Sequence, residues 1–159
     1  MHSSLRDWKA MMIIVLSGQE ILTYSILPKG KTVDHQVYLE FLTTRVEPEV
    51  RRRHMGRPYI LHDNASPHKH RLVRQFLQAK KWEELDHPPY SPDMSPPDMH
   101  GIMLVKGPNK GKRFESENEL HHDYKVTIRE VHQKASSKGI MMLPDRWRAV
   151  ANANGKYVE

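Results

Sequence analysis

The stretch Pro58-Tyr59-Ile60-Leu61-His62-Asp63-Asn64-Ala65-Ser66-Pro67-His68 decides the fold class. Three apolar residues introduced by a proline read as a short strand. Asp63 follows at the strand's C-terminal edge. A helix is predicted next, over about 67–80, because Leu72, Val73, Phe76 and Leu77 fall on one face. A strand that hands a carboxylate to a turn and then to a helix is an α/β unit.

Upstream of it, 11–16 is a continuous apolar run bounded by Ser17-Gly18, and 21–27 is a second, closed by Pro28-Lys29-Gly30. Two such runs across a glycine-containing turn predict an antiparallel hairpin. The segment 32–53 predicts a helix capped by Thr32 or Asp34, with Val37, Tyr38, Phe41 and Leu42 on one face. Pro48 should kink or interrupt it. Arg51-Arg52-Arg53 ends it, where cations suit the helix dipole.

Downstream, 82–85 is a weak strand candidate. The segment 87–97 holds five of the chain's 11 prolines and reads as an extended loop that ends just before Asp98. Helices are predicted over 115–134, with Leu120, Tyr124 and Ile128 (alternatively Val131) on one face, and over 143–150, entered through Pro144. The order strand, strand, helix, strand, helix, strand, helices belongs to one α/β domain with a mixed sheet spanning 1–159.

Composition bounds the partner. Lys and Arg number 25 against 19 Asp and Glu, a net charge of +6, with a pI near 9.5. A basic domain suits a polyanion. The candidate phosphate contacts are Arg51, Arg52, Arg53, His68, Lys112 and Arg113; surface solvation is the alternative use of such cations. The absence of cysteine excludes a disulfide framework. No apolar run reaches the roughly 18 residues of a membrane span, so no membrane partner is expected.

Asp63 and Asp98 are separated by 98 − 63 − 1 = 34 residues. Phosphodiester cleavage uses two divalent ions about 3.5–4 Å apart, which activate the attacking oxygen and stabilise the leaving one. Hard ions such as Mg²⁺ or Mn²⁺ take carboxylate ligands, so both aspartates are candidate catalytic and metal-binding residues. Each has a second use: an Asp-Asn pair after a strand forms turns, and Asp98 can cap a helix.

The motif His62-Asp63-Asn64-Ala65 with His68, and the motif Tyr90-Ser91-Pro92-Asp93 with Ser95-Pro96 and Asp98, resemble the catalytic domain of mariner-type (Tc1/mariner) DNA transposases at the family's spacing. Lys29-Gly30-Lys31-Thr32-Val33, Lys112-Arg113-Phe114, Leu143-Pro144-Asp145-Arg146-Trp147 and Gly155-Lys156-Tyr157 resemble further family positions. The resemblance covers nearly the whole chain. It implies an RNase H-like α/β fold with a mixed sheet flanked by helices, DNA as partner, pairing as a homodimer or with a full-length transposase, and action in the nucleus. The family's first aspartate, on its first and central strand, has no counterpart here; Asp7 lies too close to 11–16 to take its place. The resemblance therefore implies a sheet lacking that strand, metal binding that is weak or lost, and a chain inactive on its own. A domesticated binding module and an incomplete gene of an active enzyme are the alternatives.

Overall fold

The computed structural model describes residues 11–18, 20–86, 105, 107–134 and 142–153. The 87–97 loop, Asp98, and the Gly155-Lys156-Tyr157 match fall outside the described residues.

The hairpin forms as expected. β1 (Met12–Leu16) pairs antiparallel with β2 (Ile21–Ile26), and Ile14 faces Tyr24 across the ladder. The register breaks between Val15 and Leu16: Val15 pairs with Thr23 but Leu16 pairs with Ile21. Leu22 is thus the extra residue of a bulge, which reverses the side-chain alternation at that point. The neighbours Ile21 and Leu22 are both buried, yet they enter different cores. Leu22 joins Ile13 and Val15 against Tyr38, Phe41, Leu42, Val46 and Val50. Ile21 joins Met12, Ile14 and Leu16 against Val105 and Ile128. The hairpin is therefore covered on both faces, which explains why both strands read as unbroken apolar runs rather than alternating ones.

The expected single helix over 32–53 is divided. Asp34 caps α1 (His35–Phe41) by accepting the Val37 N–H at 2.8 Å. A π-type turn follows at Leu42–Val46, then α2 (Glu47–Arg52) with Pro48 in its first turn. Pro48 has no N–H to give the carbonyl four residues back, and its ring crowds that carbonyl. The widened turn before it accommodates both defects, so the interruption precedes the proline. Leu42, inside that turn, is fully buried.

β3 (Tyr59–Ile60) and β4 (Glu83–Glu84) form a second, parallel ladder of only two residue pairs. It is extended by the Leu85 N–H donating to the Ile60 carbonyl at 2.8 Å. Antiparallel and parallel pairing are thus both present, but in two separate two-stranded sheets among the described residues. One core joins them, because Ile60 and Trp82 pack into the cluster that holds Leu22 and Leu42.

Between β3 and β4 runs α3 (Arg71–Lys80), buried through Val73 and Leu77. It begins later than the predicted 67, since 66–69 is a turn and His70 is extended. Lys81, at φ 57°, ends the helix, with the Trp82 N–H reaching back to the Leu77 carbonyl at 2.9 Å. Beyond Val105, a short turn at Gly107–Asn109 leads to α4 (Glu117–Lys134) and then α5 (Leu143–Asn152). Buried Asn109 ties that turn to α4 by donating to the Thr127 hydroxyl at 3.0 Å.

Candidate active site

Asp63 leaves β3 on the residue pattern predicted for it, and its carboxylate does two local jobs. Oδ1 accepts the Ala65 N–H at 2.9 Å, which is the turn expected of an Asp-Asn pair. The same oxygen accepts a hydrogen bond from His68 Nδ1 at 2.7 Å. Oδ2 takes no hydrogen bond among the described residues, and the side chain is 56% exposed. One lone-pair face of the carboxylate is therefore committed and the other is open.

Beneath Asp63 lies a network that the motif alone does not reveal. His62 is nearly buried and is gripped at both ring nitrogens. Nε2 meets Glu84 Oε1 at 2.9 Å and Nδ1 meets the Tyr38 hydroxyl at 3.0 Å. A carboxylate only accepts, so Nε2 carries the proton and Tyr38 donates to Nδ1. Burial pushes His62 below its ordinary pKa, against the upward pull of its Glu84 hydrogen bond. Burial, with the nearby Asp63 and Glu84 charges, drives the Tyr38 hydroxyl far above its ordinary value. Both groups stay neutral through the physiological range.

His62 and His68 stack almost parallel, with ring centroids 4.7 Å apart, and Tyr38 packs against His68 at 4.4 Å. A second stack joins His35 to His70 at 3.7 Å. Four elements thus fix the turn that carries Asp63: α1 through Tyr38, β3 through Ile60, β4 through Glu84, and the entry to α3 through His68 and His70. Tyr38 was legible only as a core residue and Glu84 only as part of a weak strand. A charged residue two positions after the buried Trp82 was the available signal for Glu84.

The other candidates disperse. Arg51 pairs with Glu47 at 2.7 Å, Arg52 with Glu49 at 2.7 Å, and Arg53 with both Glu49 and Glu20. Lys112 pairs with Asp123 at 2.9 Å. Arg113 is exposed and has no partner among the described residues. None of these touches the Asp63 turn.

A hard cation is compatible with the donor set at Asp63, because Oδ2 is an open carboxylate oxygen at an exposed position. Among the described residues no group of three or more His, Asp or Glu side chains is arranged to hold a metal ion.

No family model matches the chain. The mariner Mos1 transposase of Drosophila mauritiana is 31% identical over 157 residues, 95% of this chain and 45% of that protein. The solved Mos1 transposase catalytic domain, with raltegravir and Mg, superposes with a TM-score of 0.82 at 29% identity, over 94% of this chain and 77% of that one. The chain belongs to the mariner-type transposase catalytic domains. A second relative, the human histone-lysine N-methyltransferase SETMAR, is 28% identical over 160 residues, 98% of this chain. The mariner-type chain spans less than half the length of either relative, at 45% and 23%. Its two small sheets and flanking helices are the corresponding part of the RNase H-like fold.

Proposed function

We propose that this chain is the metal-binding, DNA-handling part of a mariner-type transposase, with Asp63 and Asp98 as its metal-binding carboxylates, and that alone it does not cut DNA. The observation that carries the reading is the open Oδ2 of Asp63, held in the turn that follows β3 in a domain alike to the Mos1 catalytic domain over 94% of this chain. Mos1 structures solved with Mg, with Mn and as a strand transfer complex support divalent metal and DNA as ligands.

In such a site a divalent ion would supply charge for the attacking and leaving oxygens of the phosphodiester. The chain's own contribution is positional. His68 and the Ala65 N–H fix one carboxylate oxygen of Asp63, so the other presents in one direction. The neutral His62, locked between Tyr38 and Glu84, keeps the turn rigid without adding a cation beside the metal-binding oxygen.

Titration with Mg²⁺ or Mn²⁺ while thermal melting is followed tests the reading. The expected result is a rise in Tm for the wild type that disappears in Asp63→Asn and in Asp98→Asn. A cooperative melt that metal leaves unmoved sinks the metal site. Mg²⁺-dependent nicking of DNA by the purified chain sinks the claim of inactivity and keeps the site.

A further inference from the structure

The outer edge of β2 opens into a cleft of about 750 Å³ that does not include Asp63. Its floor is Ile21 to Ile26, the strand itself. The Leu27 N–H donates to the Met11 carbonyl at 2.8 Å, which makes Met11 and Leu27 a hydrogen-bonded pair. Pair types alternate along an antiparallel ladder, so the N–H and C=O groups of Tyr24 and Ile26 point away from β1 into the cleft. β2 has no second partner strand among the described residues.

The walls come from opposite faces of the sheet. One is the π turn and α2, which pack on the Leu22 side; the other is α4, which packs on the Ile21 side. Each carries cations in helical register toward the cleft. Arg45 and Arg52 lie on the first wall, with Glu49 between them held by Arg52 and Arg53. On the second, Lys125 and Arg129 lie four residues apart with His121 one turn ahead of them, and the three positions span ~12 Å of helix. Arg45, Lys125 and Arg129 are exposed and make no ion pair among the described residues.

We propose that this edge is a docking site for an extended acidic peptide, which adds to β2 as a further strand. Side chains of an added strand alternate between the two faces of the sheet. Here both directions lead to a cationic wall, so carboxylates at successive positions find partners on alternate sides. The ~12 Å stripe of α4 matches about four residues of strand at ~3.4 Å each. The edge also offers carbonyl acceptors as well as N–H donors. A peptide backbone satisfies both, whereas a phosphodiester backbone supplies acceptors alone, which favours peptide over nucleic acid. Cations beside a strand edge also deter self-association, and the same side chains serve an acidic partner. The inference is independent of the transposase reading, since none of these residues touches the Asp63 turn.

The test titrates the full chain into a fluorescent peptide of about ten residues, glutamate and threonine, with glutamates on both faces. The expected result is saturable binding that weakens at least tenfold in Arg45→Glu/Lys125→Glu/Arg129→Glu, a variant whose Tm stays unchanged because all three side chains are exposed. Binding should vanish when alternate peptide amides are N-methylated, and the Tyr24 and Ile26 amides should gain hydrogen-exchange protection. Equal binding of the N-methylated peptide overturns strand addition. Oligothymidylate that binds through the same three cations when the peptide does not reassigns the cleft to nucleic acid. No binding of either leaves the cations as guards of the edge and overturns the proposal. Metal-dependent stabilisation through Asp63 can hold or fail in any of these cases.

Discussion

The two ladders of this domain are built on opposite terms. β1–β2 has five residue pairs and apolar cover on both faces. β3–β4 has two pairs, with Tyr59 65% exposed and two adjacent glutamates forming the partner strand. The candidate chemistry nevertheless sits at the end of the short ladder. Ladder length is not what positions Asp63. The turn is held from below by the core that β3 shares with the hairpin, and from the side by Tyr38, His62, His68 and Glu84. A functional turn can rest on a minimal strand when side chains from four elements fix it.

The most severe way to break the comparison is to remove the shared core. Leu42 is fully buried between the two sheets' supports, so Leu42→Ala should cost ~2–5 kcal/mol. Urea unfolding with amide exchange should show both ladders lost in one transition. Protection of the hairpin that survives loss of β3–β4 would mean two independent units.

Tyr38→Phe separates the regions more finely. It leaves Nδ1 of nearly buried His62 without its donor, an expected loss of ~1–3 kcal/mol. Exchange should quicken at Ile60 and Leu85 while the β1–β2 amides keep their protection. Equal quickening in both ladders would show that the hydroxyl serves the whole core.

Acid should act on the same side. His62 is held below its ordinary value of 6.5, chiefly by burial. The unfolded chain therefore takes up a proton below about 6.5 that the folded chain refuses. Its contribution is complete above pH 6.5 and is lost as the pH falls from there toward the folded value. Melting temperature against pH in wild type and His62→Gln should show a shallower slope for the variant across that window. Identical slopes would remove His62 from the acid response.

The smallest effect lies at the entry to β4. Lys81 holds a left-handed conformation, φ 57°, that glycine adopts without steric cost. Lys81→Gly should stabilise by about 0.5–1 kcal/mol in chemical denaturation. A destabilisation would show that the lysine side chain contributes more than its backbone costs.

Much of this was legible in the sequence. The unbroken apolar runs of the hairpin reflect burial on both faces, Asp34 and Asp63 follow local rules of caps and turns, and the helix after Asp63 ends at Lys80 as its pattern predicts. What escaped depends on long-range packing. Pro48 marked an interruption, but only the core decides that the chain absorbs it at Leu42–Val46. The helix predicted from 67 starts at Arg71 because His68 and His70 are drawn to Asp63 and His35 instead. The Tyr38–His62–Glu84 chain joins residues 22 to 24 positions apart, beyond the reach of any periodicity. His121, Lys125 and Arg129 stood in register in the sequence, but their meaning depends on the strand edge they border.

The π turn at Leu42–Val46 also sets a phase. Each residue of helix advances the side-chain direction by about 100°, and the wide turn inserts one step between α1 and α2. Closing that turn to ordinary α geometry with every residue kept would turn α2 about its axis like a cam, swing Val50 out of the core, and carry Arg52 and Arg53 away from the β2 edge. The spacing of one wall of the cleft is therefore timed by a proline several residues upstream of the arginines it aims.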